Sequence, residues 1–339
     1  MLPDGLASLL RESGVAVRDG EARRILAHAI GRGRSGFPER NPVPRRVESA
    51  IGELCDRRPL EIVERATDPA DGFVKYLFRM PDGALAEAVR IPLEREGRFT
   101  VCLSSQVGCA MKCGFCATGR LGLQRNLEAW EIVAQFIAVR DEAPGSVTGA
   151  VFQGQGEPLH NYDAVARAAE ILAHPCGGRI PAKGVTISTV GLVPGIVRIA
   201  RERRPWRLVV SLTSAIEERR RELLPVASAW PLETVAEAVR EWHSATGERA
   251  TLAWVLLGGI NTGAEEVEAL RAIFGGIPLR INLIDVNDPR PGGFRRATPG
   301  ELASFRDALR TLGVPIVRRY SGGAARHAAC GMLASVRTA

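Results

Sequence analysis

From about residue 100 onward, short runs of continuous apolar residues alternate with segments whose apolar residues recur three and four positions apart. The runs are typical of strands in a buried parallel sheet, and the spaced segments are typical of helices with one apolar face. The runs lie at 101–105, 149–153, 184–188, 207–212, 250–257, 279–284 and 314–319. Six strand–helix units and a last strand fall short of the eight units of a closed barrel. The pattern therefore predicts an α/β fold built on a partial (βα)6 barrel of the TIM type, with a doubly wound sheet as the alternative.

The rest of the chain predicts three smaller parts. Residues 1–65 are rich in arginine and have a helical pattern around 21–30, followed by a loop-like Pro/Gly/Arg stretch at 31–46. Two apolar runs around a Pro-Asp-Gly turn at 71–91 are typical of a β-hairpin. The predicted division is an N-terminal helical accessory domain (1–65), a β-hairpin extension (66–98), the partial barrel (99–320) and a C-terminal tail (321–339).

Composition and charge narrow the class of protein. An apolar content of 45% and a charged content of 24% are ordinary for a globular chain and exclude disorder. No apolar run of membrane-spanning length and no signal-peptide pattern at the start are visible, so we expect a cytoplasmic protein without a membrane partner. The net charge of +7 suits a nucleic acid partner. The arginine clusters at 201–204 and 219–221 are candidates for phosphate contacts, with a solvated helix face as the alternative.

The most specific chemical pattern is a C-x3-C-x2-C run just after the first barrel strand. It contains Cys109, Cys113 and Cys116. Three thiolates on one short loop can hold three irons of a [4Fe–4S] cluster and leave the fourth iron open, whereas such clusters usually have four cysteine ligands. Phe115 would shield the cluster from water. The alternative is a zinc site, which needs four ligands, with Cys102 or Cys330 as the fourth.

This loop resembles that of the radical S-adenosylmethionine (SAM) superfamily, and further motifs narrow the resemblance. In chain order they are CLSSQVGC (102–109), RNL (125–127), GQGEPL (154–159), ISTVG (187–191), NLI with Asn287 (282–287) and AACG (328–331). With the hairpin at 75–92, they resemble the RlmN/Cfr family of RNA adenosine methyltransferases over roughly residues 70 to 335. The resemblance implies a radical SAM enzyme that methylates C2 or C8 of an adenosine in rRNA or tRNA.

The resemblance also implies which residues hold the cofactors. Cys109, Cys113 and Cys116 would ligate the [4Fe–4S] cluster, and SAM would bind its open iron. Gly156 and Glu157 would hold the SAM amino group. The other implied SAM contacts are Ser188, Ser211, Leu212, Thr213 and Asn287. Two SAM molecules would be used per turnover, a flavodoxin or ferredoxin would supply the low-potential electron, and we expect a monomer.

Three further residues would carry the methyl transfer. The resemblance implies that Cys330 takes a methyl group from one SAM, and that a radical from the second SAM activates this S-methyl group to add to adenine. Cys102 would then form a transient disulfide with Cys330 and release the product. Glu87 would accept the proton lost from the target carbon. From the residues alone, Cys102 would be a buried strand residue, Cys330 an incidental thiol and Glu87 a surface carboxylate.

Some positions depart from the family pattern. Gln155 stands where Met is usual, and Thr213 replaces the His of an S-L-H motif. The tail at 323–328 lacks the usual acidic residue, and residues 1–65 are divergent. The first two changes adjoin the implied SAM site, and the last two concern substrate recognition. Two other functions therefore stay open: the same chemistry on a peptide or small metabolite, and a zinc-stabilised RNA-binding module without catalysis.

Overall fold

A computed structural model describes residues 1–31, 43–55, 59–319 and 322–334. Within these ranges, ten strands form one mixed sheet and two short strands form a separate ribbon. The strands of the large sheet are β1 (Glu61–Thr67), β2 (Val74–Arg79), β3 (Leu85–Pro92), β4 (Arg98–Leu103), β7 (Ser146–Phe152), β8 (Val185–Thr189), β9 (Arg207–Ser211), β10 (Ala250–Leu256), β11 (Leu279–Asp285) and β12 (Ile316–Arg319). The ribbon consists of β5 (Gln106–Gly108) and β6 (Leu123–Asn126).

Helices fill the connections between these strands. They are α1 (Pro3–Glu12), α2 (Asp19–Ala29), α3 (Arg45–Leu54), α4 (Ala117–Leu121), α5 (Ala129–Asp141), α6 (Tyr162–Ala173), α7 (Val193–Arg201), α8 (Glu217–Leu223), α9 (Leu232–Thr246), α10 (Ala264–Phe274) and α11 (Pro299–Arg310). The long barrel helices α5, α6, α7, α9, α10 and α11 lie in the segments between the predicted strands. The short elements β5, β6, α4 and α8 were not predicted, since each is too short to show a hydrophobic period. In the described ranges, no helix has the length and apolarity needed to cross a lipid bilayer.

The strand order of the large sheet follows the chain, from β1 to β4 and then from β7 to β12. Strand β4 and all strands from β7 onward are parallel. A doubly wound sheet reverses its order at a switch point, and no reversal occurs among the described strands. Because crossovers are right-handed, sequential order places the barrel helices on one face of the sheet. The predicted partial barrel is confirmed, and the doubly wound alternative is wrong.

The sheet stays open because its first and last parallel strands do not meet. Strand β4 pairs with β3 on its other side, and β12 forms an edge beside β11 in the described part of the chain. The largest hydrophobic cluster lies between the sheet and the surrounding helices and includes Phe136, Phe152, Trp242 and Trp254. The opposite face of the sheet therefore lines the interior of the open barrel and is called its mouth side, and the mouth itself lies at the carboxyl ends of the parallel strands.

The predicted hairpin consists of β2 and β3, which pair antiparallel around the turn at 80–84. Strand β3 also pairs with β4, so the hairpin extends the barrel sheet directly. Alternation along the two strands buries Tyr76, Phe78 and Ala88 against the main core and directs Lys75 and Glu87 to the mouth side. Strand β1 adds to β2 and begins before the predicted domain boundary at residue 65.

Helices α1 to α3 form a small bundle with a hydrophobic cluster of its own. Its buried residues include Leu6, Leu10, Ile25, Val47 and Ile51. The bundle contacts the barrel through Arg140 on α5, whose Nη1 donates to the carbonyl of Ile30 over 2.6 Å. Of the predicted loop at 31–46, residues 32–42 lie outside the described residues. The separation of an accessory domain therefore stays a prediction.

Candidate active site

The predicted site residues follow the carboxyl ends of neighbouring parallel strands. The cysteine loop follows β4 and β5, Gly156 and Glu157 follow β7, and Asn287 follows β11. Ser188 lies near the end of β8, and Ser211 is the last residue of β9. Since the carboxyl ends of parallel strands share one edge, all these residues lie at the mouth of the barrel, where such folds bind ligands.

The cysteine loop is closed by the small ribbon. The backbone N–H of Cys109 donates to the carbonyl of Gly122 over 2.8 Å. Gly108 has a φ of +74°, and a Cβ there would lie 1.9 Å from the oxygen of Gly122, so only glycine fits. Helix α8 supports the loop from the other side, because the N–H of Gly114 donates to the carbonyl of Leu223 over 3.0 Å.

The environment of the three cysteines fits an iron–sulfur cluster. Cys109 and Cys113 are buried and Cys116 is half-buried, and Leu224, Leu257 and Val286 line the apolar cup around them. Burial raises the pKa of Cys109 to about 12 and raises that of Cys113 well above its ordinary value; in both, charge on the neighbouring thiols adds to the shift. Without a metal, these thiols would keep their protons. A positively charged cluster core would compensate the charge of three thiolates on this one loop.

Glu157 joins the ends of two strands. Its Oε2 accepts a hydrogen bond from the backbone N–H of Val190 over 2.9 Å, and its Oε1 accepts one from Leu159 over 3.0 Å. Burial raises the pKa of this carboxyl to about 7, against the lowering effect of those two donors. Gly156, with a φ of +98°, packs so closely on Gln106 that a Cβ would lie 2.6 Å from the Gln106 side chain. The Thr189 side chain also bonds this carboxylate, whose two oxygens together can accept about four hydrogen bonds and so leave room for a ligand amine.

The turn after β9 contains a polar atom that suits a ligand. Thr213 is fully buried with a φ of +63°, and its carbonyl accepts a hydrogen bond from Asn261 Nδ2 over 2.6 Å. Its Oγ1 has no hydrogen-bond partner among the described residues. An unpaired buried hydroxyl costs free energy unless a bound molecule satisfies it. Leu212 is also fully buried, and Asn287 Oδ1 accepts a hydrogen bond from Arg296 over 2.5 Å.

The C-terminal tail packs on the mouth of the barrel and brings Cys330 toward Cys102. Cys102 is buried on β4 and lies in a cluster with Ala328 and Leu333 of the tail. Burial raises the pKa of the Cys102 thiol, and the charge of Cys330 raises it further. Both are free thiols in this structure. The structure therefore brings together two cysteines that are 228 positions apart in the sequence.

Cys330 lies next to the cysteine loop, because the residue after it is bound to the start of α4. The residue is exposed, but the surrounding protein and the charge of Cys116 raise the pKa of its thiol. Gln153 Nε2 donates to its sulfur over 3.9 Å. The next residue, Gly331, accepts a hydrogen bond from the N–H of Ala117 over 2.7 Å, directly after Cys116.

The tail is attached at both ends. Thr118 Oγ1 donates to the carbonyl of Leu333 over 2.6 Å. At the other end, the backbone N–H of Gly323 donates to Asp71 over 2.8 Å, and that of Ala325 donates to Asp68 over 3.2 Å. Sequence reasoning missed these anchors, because an Asp in a loop gives no sign of the distant amide that it binds.

Glu87 is fully buried, so the expectation of a surface carboxylate is wrong. Its Oε1 forms an ion pair with Lys75 Nζ at 3.0 Å, and its Oε2 accepts a 3.5 Å hydrogen bond from Gln155 Nε2. The cross-strand register places Glu87 opposite Leu77 and on the same face as Val89, which packs with Cys102. Lys75 was not predicted, although a lysine inside an apolar strand is a signal of a buried partner.

Comparisons with known proteins identify the family of the chain. The Radical SAM superfamily, whose members use a [4Fe–4S] cluster and SAM, matches residues 103–271. A protein of an Anaeromyxobacter species named "probable RNA methyltransferase" is 50% identical, with 97% of this chain and 96% of the relative covered. The dual-specificity RNA methyltransferase RlmN of Syntrophobacter fumaroxidans is 39% identical, with 94% of this chain and 93% of the relative covered.

A solved structure of a related protein has the same fold. The crystal structure of a radical SAM methyltransferase from Sphaerobacter thermophilus superposes with a TM-score of 0.91 and is 34% identical, with 99% of this chain and 98% of that chain covered. The similarity includes the N-terminal region and the tail as well as the barrel. The chain therefore belongs to the family of RlmN RNA methyltransferases within the radical SAM superfamily.

Proposed function

We propose that the protein methylates C2 or C8 of an adenosine in rRNA or tRNA, with Cys330 as the methyl carrier and Cys102 as the resolving thiol. The observation that carries the proposal is the position of the segment around Cys330: Ala328 and Leu333 pack with Cys102, and Gly331 is bound by Ala117 next to the cysteine loop. A methyl carrier has to be near the cofactors and the resolving thiol at the same time. The names of the relatives support RNA as the substrate.

The cofactors would be held by the residues at the strand ends. Cys109, Cys113 and Cys116 would ligate a [4Fe–4S] cluster. Gly156, Glu157, Ser188, Ser211, Leu212, Thr213 and Asn287 would line the SAM site. When bound, the cluster and two SAM molecules per turnover supply the methyl group and the one-electron chemistry. The apolar cup around the cysteines would exclude water from this chemistry.

Cys330 would act first, as the nucleophile for a methyl group. Only the thiolate is a good nucleophile. Because the surrounding protein raises the pKa of Cys330, its thiolate form has to be stabilised. A hydrogen bond from Gln153 Nε2 would help to stabilise charge on the sulfur. The two hydrogen bonds from α4 to the tail would hold this sulfur at a fixed distance from the cysteine loop.

Cys102 would release the product after the carbon–carbon bond to adenine has formed. Its thiolate attacks the sulfur of Cys330, the new S–S bond forms, and the bond between that sulfur and the product carbon breaks. The electron pair stays on that carbon, which takes up a proton to complete the methyl group. A thiol reductant has to return the disulfide to two thiols before the next turnover.

Glu87 would accept the proton lost from the adenine carbon. The ion pair with Lys75 and the hydrogen bond from Gln155 fix its position on the mouth side of β3. Because Glu87 is fully buried in this structure, RNA binding has to uncover its carboxylate before an adenine can reach it. The electron would come from a flavodoxin or ferredoxin, and we expect a cytoplasmic monomer.

Nucleoside mass spectrometry tests this function. Anaerobically reconstituted protein is incubated with total RNA, a reductant and methyl-labelled SAM, and the RNA is then digested. Label on a ring-carbon methyladenosine is the expected result, and its retention time distinguishes C2 from C8. If SAM is consumed and no nucleoside carries label, RNA is not the substrate.

A further inference from the structure

Arg220 is a fully buried arginine without a carboxylate partner. Its side chain is 0% exposed, and no acidic group lies within ion-pair distance of it in the described residues. Its Nη1 donates to the carbonyl of Trp230 and its Nη2 to that of Val190, both over 3.0 Å, while its Nε has no partner. The sequence grouped this residue with the surface cluster at 219–221 as a candidate phosphate contact. That expectation is wrong for Arg220.

The charge of Arg220 needs an anion that these contacts do not supply. Two neutral carbonyls satisfy hydrogen bonds, but they do not compensate a full charge in a low-dielectric interior. Glu217 is the acidic residue whose charge acts on Arg220. Its carboxylate is already bound by Arg221 and by the N–H of Leu232. Burial lowers the pKa of Arg220 to about 10, so the guanidinium stays protonated at neutral pH.

The position of Arg220 indicates where the missing anion lies. Helix α8 carries Arg220 and also supports the cysteine loop through the bond from Gly114 to Leu223. Leu223 of this helix and Val190, whose carbonyl binds Arg220, both pack in the same apolar cluster as Cys113 and Cys116. A buried cation is therefore bound to a residue that packs with two of the three cysteines, where the thiolates would concentrate negative charge.

Arg220 also fixes the strand end that would hold SAM. The peptide group of Val190 is bound on both sides, because its N–H donates to Glu157 and its carbonyl accepts from Arg220. Gly191 follows with a φ of +102°, and a Cβ there would lie 3.2 Å from Nη2 of Arg220. The guanidinium is therefore held in one place and cannot turn toward solvent.

We propose that the counterion of Arg220 is the [4Fe–4S] cluster with its three thiolates, and that Arg220 is a positioning residue that facilitates one-electron reduction of this cluster. This inference rests on the cluster assignment in the proposed function. In the reduction, one electron passes from the low-potential donor to the cluster, no covalent bond forms or breaks, and the cluster becomes more negative by one charge. A fixed buried cation stabilises the more negative state more strongly than the less negative one.

The test is the midpoint potential of the cluster, measured by an EPR-monitored redox titration with dithionite in the absence of SAM and RNA. Arg220→Met and Arg220→Gln remove the charge, and the Gln variant keeps an N–H donor for the carbonyls. Both variants are expected to lower the midpoint potential of the cluster. Each 59 mV of lowering corresponds to a tenfold smaller equilibrium constant for its one-electron reduction. Arg221→Met is the matched control, since it removes an exposed arginine from the same helix.

The results separate charge from structure. A lower potential in both neutral variants, with Arg220→Lys and Arg221→Met close to the unmodified protein, supports the proposal. Neutral variants that load iron and keep the unmodified potential overturn it. If neither neutral variant binds iron, the iron content of Arg220→Lys distinguishes the two explanations. A normal iron content in the Lys variant supports a requirement for positive charge. A loss of iron in the Lys variant overturns the proposal, because it shows that the bonds to the carbonyls matter instead. Absence of a cluster from the unmodified protein would contradict the proposed function itself.

Discussion

The hydroxyl of Thr118 donates a 2.6 Å hydrogen bond to the carbonyl of Leu333, 215 positions later in the chain. Thr118 is the second residue after Cys116, and Leu333 is the third residue after Cys330. One bond therefore links the loop that would hold the cluster to the segment that would carry the methyl group. With the bond from Ala117 to Gly331, it fixes the position of the tail at the barrel mouth.

Replacing Thr118 with Val should loosen the tail without changing the shape of the core. The buried carbonyl of Leu333 would lose its donor, which costs about 1–3 kcal/mol. We expect Cys330 to react faster with a bulky thiol reagent, measured by mass spectrometry of the modified tail peptide. Thr118→Ser keeps the hydroxyl and should react at the unmodified rate. Equal rates in all three proteins would show that the bond does not hold the tail.

Replacing Cys102 with Ala should trap the enzyme on its RNA. Without a thiol to attack the sulfur of Cys330, the covalent adduct cannot be released, and a nuclease-sensitive band of higher mass should accumulate on denaturing gels. Cys330→Ala should still consume SAM slowly but transfer no methyl and form no adduct. Cys176→Ala, which lies outside the mouth, is the matched control. Normal turnover by the Cys102 variant would refute its role as the resolving thiol.

Replacing Lys75 with Met should destabilise the protein strongly. Glu87 would keep a buried negative charge without its cation, and breaking a buried pair in this way costs about 3–5 kcal/mol. We expect a lower thermal midpoint and partial recovery in the double variant Lys75→Met/Glu87→Gln, which removes both charges. Arg79→Met, which removes an exposed partner of Glu61, should change the midpoint little. A double variant no more stable than the single one would contradict the buried pair.

The raised pKa of Glu157 predicts a pH dependence of stability. Its pKa is about 7 in the folded protein against an ordinary value of 4.5, so the folded state binds more protons than the unfolded state between these values. The free energy of unfolding should therefore fall as pH rises from about 5 to 7, by up to about 3 kcal/mol from this one group. Denaturant titrations of the SAM-free protein should show this fall, and Glu157→Gln should show a smaller one. A free energy of unfolding that rises with pH in the unmodified protein, but not in Glu157→Gln, would show that the pKa of Glu157 is not raised in the folded protein.

The sequence was most informative where chemistry and local pattern coincide. The spacing from Cys109 to Cys116 lies within one loop, and the Gly-Glu pair at 156–157 follows a visible strand, so the residue pattern alone places both at the barrel mouth. Burial of Glu87 could not be predicted, because it depends on the register that puts Lys75 diagonally across the hairpin. Arg220 looks like its exposed neighbour Arg221 in sequence, and only the packing of α8 separates them.

The edge strand β12 has a consequence for the solution behaviour of the protein. Its residues Ile316–Arg319 end the parallel sheet, and an unpaired edge can recruit a strand from another chain. Val317, Arg318 and Arg319 are exposed there, and Arg318 is held by Asp285 at 2.8 Å. A second chain that extended the sheet would have to desolvate two guanidinium groups. The same sequential strand order that leaves the barrel open therefore ends, in the described part of the chain, in a charged edge of the kind that disfavours pairing with a second sheet.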